Sequence, residues 1–508
     1  MSPPVIRARA SRNCGNCRAV KRRCDKQVPS CGQCTRLREK CPGYRDEWEL
    51  VFRDQTGQTI QRSKEQQKSK NGICLETQHT KSDLVLPPCS RSLSPSVGQR
   101  GVNYFFHHFV TGDHSPDRGY LNYIPAVLGA DGDHPTLVAS MAAVGLVALA
   151  NSTQQPELVR HARVKYSQAI CSLNEALACP VESCKDSVLM SVISLGVFEH
   201  FSNFESWVRH VQGAAALVVV RGRTQFRSKV SILMFNQVRA DMIIACLHTN
   251  RPFPEDMLSL QEEACNYTDP MSTFWLLGVY ATRCVNLLFG VHNKVSDFPL
   301  SHWIEEAATL QSDFQYILGV LGIQEPYTTV RQSTFDPAVA YNGRYDVYSS
   351  PWAIRVWNNA RIMQMIVSEI MFYLLNGVLR SNPPPPASAV AAAKAKLQDT
   401  VQILAGLGND MIATVPQVLG RVGPDRLSAA SSDAGVSGGY LLIWSLYMVG
   451  KCPVTTDKAR QWIIGHMRQI VGSSGIAMAV RLLDDVVKIE NNASSERTVS
   501  YTPSELES

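Results

Sequence analysis

Charge is scarce in this 508-residue chain. Asp, Glu, Lys and Arg make up 19 % of it, below the ~25 % common in globular domains. Long apolar runs are missing too. The longest, about residues 136–150, falls short of the ~20 residues that span a bilayer, so a buried helix is expected there and no membrane partner. Residues 1–12 carry basic side chains but no apolar core, which argues against a secretory signal and for a reducing compartment. Strand-like alternation is rare, and no sustained heptad marks a coiled-coil dimer. P-loop, G-x-G-x-x-G and H-E-x-x-H strings are absent, and no catalytic set converges, so no enzyme is expected.

What the chain does have is concentrated near its N-terminus. Six cysteines, Cys14, Cys17, Cys24, Cys31, Cys34 and Cys41, follow the spacing C-x2-C-x6-C-x6-C-x2-C-x6-C. This is one unit written twice with a 17-residue offset. Thiolate sulfur favours zinc over hard cations, and a structural zinc is tetrahedral. Each unit offers three sulfurs, one short of a closed site. Two zinc ions need eight ligand positions, which six sulfurs fill if two of them bridge. The repeat makes Cys14 and Cys31 equivalent, so they are the natural bridges. One Zn2+ then takes Cys14, Cys17, Cys24 and Cys31, and the other takes Cys31, Cys34, Cys41 and Cys14.

Three other readings fit less well. A disulfide framework needs an oxidising compartment. A four-cysteine zinc ribbon leaves Cys24 and Cys41 unexplained at matching positions. The spacing is not a usual iron–sulfur pattern.

The cysteines sit among basic residues: Arg18, Lys21, Arg22, Arg23, Lys26, Arg36, Arg38, Lys40 and Arg45. Residues 1–100 carry a net charge of +11, while the remainder carries −5. Positive charge is thus placed where a phosphate backbone would lie. The bland reading of the run Lys21-Arg22-Arg23 is a solvated face or an import signal.

The stretch CGNCRAVKRRCDKQVPSCGQCTRLREKC, residues 14–41, resembles the fungal Zn2Cys6 binuclear-cluster DNA-binding domain. The likeness includes all six cysteines, the basic run, the Cys24-Asp25 pair and Pro29 two residues before Cys31. It implies two zinc ions bridged by the first and fourth cysteines, in agreement with the symmetry argument. It also implies that residues 17–24, read as a short helix between ligands, enter the major groove over a CGG triplet. The base-reading lysine maps onto Lys21. Arg18, Arg22 and Arg23 are assigned to phosphate.

Beyond the module, residues 46–100 turn to Gln, Ser, Lys, Thr and Pro and read as a mostly disordered linker. A short apolar island stands at residues 48–53. From Val102 the chain reads as helix after helix, including Pro351–Leu379 and Ala387–Ile412. The segments WVRHVQGAAALVVVRG (207–222) and PWAIRVWNNARIM (351–363) are similar to parts of the fungal-specific transcription factor domain. Trp207, His210 and Gly213 are candidate cavity residues. The competing and favoured reading is a packed helix, with Gly213 permitting close helix approach. The nine remaining cysteines are expected as core thiols.

The expected fold is mainly α: a small binuclear zinc-cluster module (1–45), a linker (46–100), a large all-α helical regulatory domain (101–490) and a polar tail (491–508). The expected function is a nuclear, zinc-dependent transcription regulator that binds double-stranded DNA at CGG-type half-sites. A homodimer through the helical domain and contact with the transcription machinery are expected with it. Control of a metabolic or secondary-metabolite gene cluster is the accompanying pathway expectation. An enzymatic body and a zinc-dependent protein-binding module without DNA are the competing classes.

Overall fold

Prolines and capping side chains set where most of the helices begin. The computed structural model describes residues 13–27, 30–43, 95–112, 118–132, 134–294, 298–332, 336–422, 436–474 and 476–499. The expected arm before Asn13, the linker up to residue 94, the 48–53 island and the end of the tail lie outside these. The chain divides into two units, Met1–Arg91 and Ser92–Ser508.

The described part of the first unit holds two short helices, Gly15–Ala19 and Gly32–Arg36. The second unit is helical almost throughout. Its first helix, Val97–Phe109, starts inside the stretch read as linker, because the Ser96 hydroxyl accepts the Gln99 N–H at 3.2 Å and caps it. Proline stands in the first turn of Pro135–Thr153, Pro156–Ala178 and Pro351–Leu379, where its missing N–H costs nothing. Asn203, Ser228 and Ser350 cap Phe204–Arg221, Lys229–Thr249 and Pro351–Leu379 with side-chain oxygens. Gln154, Asn250 and Lys294 end their helices in the left-handed region.

Two helices organise the core. Pro135–Thr153 packs against Val97–Phe109, Pro156–Ala178 and Asp186–Glu199. Pro351–Leu379 packs against Leu300–Gln324, Ala387–Ile412 and Thr273–Asn293. The C-terminal helices Val436–Lys451, Asp457–Ser474 and Ala477–Val499 pack on one another, and the first two reach back to the N-terminal helices of this unit. Among the described residues the strands form two antiparallel hairpins, Thr111–Gly112 with Gly119–Tyr120 and Tyr327–Arg331 with Arg344–Tyr348. The second starts its register with Tyr327 opposite Tyr348.

Among the described residues, length and composition would let four helices cross a membrane: Pro135–Thr153, Lys229–Thr249, Thr273–Asn293 and Pro351–Leu379. The reading of residues 136–150 as the longest apolar run understated this. In the fold, 67 %, 61 %, 44 % and 67 % of their apolar windows are buried inside the protein, so core packing accounts for much of that apolarity. The core-thiol expectation holds for Cys246, Cys284 and Cys452, whereas Cys171 and Cys184 are exposed.

Two helices approach closely at Gly101 and Gly145. A β-carbon on Gly145 would stand 1.8 Å from the Gly101 carbonyl oxygen. Gly213, expected to serve this purpose, has open space where its β-carbon would be. Gly145→Ala should therefore destabilise the protein by about 1–3 kcal/mol through overpacking. Gly213→Ala, in the interior of a helix, should stabilise it by about 0.5–1 kcal/mol. Denaturant unfolding of the two variants checks both signs, and equal effects would contradict the packing described.

Candidate metal centre and nucleic-acid interface

The 17-residue repeat of the sequence is also a repeat of the backbone. Helix Gly15–Ala19 in the first half matches Gly32–Arg36 in the second. The Cys17 N–H meets the Cys14 sulfur at 3.4 Å, and the Cys34 N–H meets the Cys31 sulfur at the same distance. Each helix then stops in the same way. Lys21 and Arg38 both take φ 52°, and the next N–H, of Arg22 or Glu39, donates to the carbonyl of Cys17 or Cys34 at 2.9 Å. This is the pattern of a helix closed by one left-handed residue. The expectation of a helix over residues 17–24 is corrected: the helix ends at Ala19, and Lys21 lies on the turn beyond it. A turn at Val20 and Lys21 then leads the chain on to Cys24.

Two glycines let the halves close. A β-carbon on Gly15 would come within 2.8 Å of the Pro42 ring, and one on Gly32 within 2.4 Å of the Asp25 carboxylate. That carboxylate accepts the Gly32 N–H with both oxygens, at 3.0 and 2.9 Å. Asp25 thus ties the exit of the first half to the start of the second helix.

The six sulfurs fall into two groups, each with its ligand atoms within 4.8 Å of one another: Cys14, Cys17, Cys24 and Cys31, then Cys14, Cys31, Cys34 and Cys41. Cys14 and Cys31 belong to both. Their sulfurs are 3.5 Å apart, and the Cys14–Cys34 and Cys17–Cys31 separations are 3.7 Å. A tetrahedral zinc with bonds of about 2.3 Å has an edge of about 3.8 Å between sulfurs, so the donor set fits. Cys14, Cys17, Cys31 and Cys34 are fully buried. The Cys14 N–H donating to Cys24 is the main cause of a thiol lowered to about 7, and backbone N–H donors lower Cys41 as well. Both shifts favour the thiolate, the form that binds metal, whereas burial and the neighbouring thiols raise Cys14 and Cys31.

Arg22 behaves differently from its neighbours. Its Nε donates to the Cys17 sulfur at 3.4 Å and its Nη2 lies 3.7 Å from the Cys34 sulfur. The same guanidinium pairs with Glu39, whose carboxyl it holds below the usual carboxylate range. Arg22 and Glu39 are equivalent positions of the repeat, so the two halves are joined by a pair of opposite charge. Arg22 was expected on phosphate; its donors are instead turned onto sulfur and Glu39. Lys21 and Arg23 are exposed, as are Arg36, Arg38 and Lys40. The backbone of Arg18 lies in the first helix.

In the helical unit, Trp207 is buried, and the His210 Nε2 lies 2.9 Å from the Tyr166 hydroxyl, which donates to Glu199 at 2.6 Å. The gap beside Trp207, His200 and His210 measures about 10 Å3, space for at most about one water. Trp207 is packed beside this gap, whereas His210 and Gly213 also line an open cleft of about 310 Å3. His200 and His210 share no helix, yet the turn between their helices brings both to this gap. Sequence reasoning missed a much larger cavity, about 620 Å3, between helices far apart in the chain. A G-x-S-x-G string, taken in reading the sequence to be absent, stands at 435–439; the side chain of its Ser437 lies outside the described set.

Residues 12–48 match the family model of the fungal Zn(2)-Cys(6) binuclear cluster domain. Residues 102–269 match that of the fungal specific transcription factor domain. The 207–222 segment lies inside the second match, and the 351–363 segment lies beyond it. No curated protein and no solved structure matches the chain. The cluster domain binds two zinc ions, and the two sulfur quartets are where this chain holds them. Zinc there is structural: it fixes the two halves. Neither matched family is an enzyme family.

Cys14→Ala or Cys31→Ala should cost both zinc ions, whereas Cys17→Ala should chiefly cost one; elemental analysis of metal per chain reads this directly. Arg22→Ala should weaken zinc retention about 10–100-fold, as expected when a group hydrogen-bonded to ligands is lost. Competition against a chelator measures it, and unchanged zinc release would show that the Arg22 contacts contribute nothing.

Proposed function

We propose that this chain, whose two family matches support a fungal DNA-binding transcription regulator, reads CGG-type half-sites with the residues beside its zinc cluster. The observation that carries the reading is a buried two-quartet thiol cluster flanked by exposed Lys21 and Arg23. Lys21 offers an ammonium donor to guanine O6 and N7 in the major groove. Arg18 and Arg23 neutralise phosphates, which fixes register without reading sequence. Arg22 is withdrawn from this set, because its guanidinium serves the cluster. Two Zn2+ with six thiolates sum to −2, and Arg22 offsets part of that charge next to the sulfurs.

The remaining parts of the proposal are coarser. Residues 1–45 form the DNA-binding domain, 46–100 the linker, 101–490 the regulatory domain and 491–508 the tail. The matched domains imply a nuclear function, and residence in the nucleus follows from it. The helical domain forms a homodimer and meets the transcription machinery. The genes controlled belong to a metabolic or secondary-metabolite cluster.

The test is selection from a randomised duplex library at near-physiological salt, with the full chain loaded with zinc. CGG triplets should be enriched, and paired triplets would report dimer spacing. In the same assay Lys21→Ala should relax sequence preference, while Arg23→Ala should weaken specific and random DNA alike and reduce the salt slope by about one. A folded two-zinc protein that enriches no triplet would refute the reading.

A further inference from the structure

We infer that the end of the second hairpin holds the carboxylate of a small organic acid on Arg331. The strands Tyr327–Arg331 and Arg344–Tyr348 are antiparallel, with Arg331 opposite Arg344. The Gln332 N–H donates to the Gly343 carbonyl at 2.9 Å. That pair is therefore hydrogen-bonded, and the next, Arg331 with Arg344, is not. Opposite residues of a non-hydrogen-bonded pair stand close, and alternate pairs share one face of the hairpin. On this face Tyr327 and Tyr348 stack with ring centres 4.7 Å apart, and the Thr329 hydroxyl donates to Asp346 Oδ1 at 2.8 Å. The third rung sets two like charges against each other, which is destabilising unless an anion neutralises them.

The protein neutralises one of the two. Arg344 Nη2 lies 3.0 Å from Asp346 and 2.7 Å from Asp410. Arg331 is exposed and has no hydrogen bond or ion pair among the described residues. Beside it lies a cavity of about 160 Å3, lined by both arginines and by Tyr341, Asn342, Asn409, Ile412 and Ala413. That is well above the ~10–15 Å3 that one water needs. The Lys458 ammonium donates to the Asn342 amide oxygen at 3.2 Å, which leaves the amide N–H groups of Asn342 as donors. Arg331, Arg344 and Lys458 thus face Asp346 and Asp410 around the lining, a surplus of one positive charge. A monoanion restores the balance. A guanidinium offers a carboxylate two parallel N–H bonds, and buried Ile412 and Ala413 give its carbon atoms an apolar wall.

This site shares no residue with the zinc module, so its test is separate from that of DNA reading. The probes are lactate and lactamide, which share a carbon skeleton and differ in charge. Calorimetric titration of the zinc-loaded full chain, at constant ionic strength, should show saturable one-to-one binding of lactate, about tenfold tighter than of lactamide. Arg331→Gln should weaken lactate by about the same factor. Without ligand this variant should melt no lower than the unmodified chain, because a like-charge pair is gone. Four results would overturn the inference: no saturable binding of lactate, equal binding of the two compounds, an Arg331→Gln protein that binds lactate as before, or one that melts lower, which would show Arg331 held by the protein itself. The comparison of the two compounds on the unmodified chain stands without any variant.

Discussion

Six sulfurs shared between two cations form the constraint on which the N-terminal module depends. So short a segment cannot bury enough apolar surface to hold itself together. Its interior is sulfur: Cys14, Cys17, Cys31 and Cys34 are fully buried, while Val20 and Leu37 face solvent. Sharing forces the two halves to face each other around Cys14 and Cys31. The close fits at Gly15 and Gly32, the Asp25 tie and the Arg22–Glu39 pair all follow from that approach. Apart from Arg22, the basic side chains whose burial is described lie on the outside of the cluster.

The helical unit rests on the opposite principle. Its core is built from long apolar helices, and several of the polar groups brought inside are held by partners. Arg361 is 1 % exposed, yet its Nη1 donates to the Tyr348 hydroxyl at 2.8 Å and to Asn358 at 3.3 Å, and its guanidinium lies 4.8 Å from the Trp357 ring centre. That arginine fastens the Tyr327–Tyr348 hairpin to the Pro351–Leu379 helix. Glu369, about two turns further along that helix, accepts from the Lys451 ammonium at 3.2 Å.

Legibility from sequence followed how local each determinant is. Pro351–Leu379 and Ala387–Ile412 were readable to the residue, because Ser350-Pro351 starts the first and the 383–386 proline run separates the two. The sulfur quartets were readable because ligand number and repeat spacing leave few solutions. Glu255–Ala264 was missed: it is short and its apolar stripe is thin. The Tyr327–Arg331 and Arg344–Tyr348 strands were missed because their burial does not alternate cleanly. The end of the first helix at Ala19 and the inward turn of Arg22 depend on how the two halves meet around the sulfurs. A local run of basic residues carries no sign of either. The cavity is less legible still, since its walls are far apart in sequence and only packing brings them together.

The Arg22–Glu39 pair means that the two halves of the zinc module are complements rather than copies. Were the repeat perfect, equivalent positions would carry the same charge and would meet as Arg against Arg or Glu against Glu. One first half set against another would suffer that repulsion beside the sulfurs. The module therefore has a built-in polarity: its first half is matched in charge to its second.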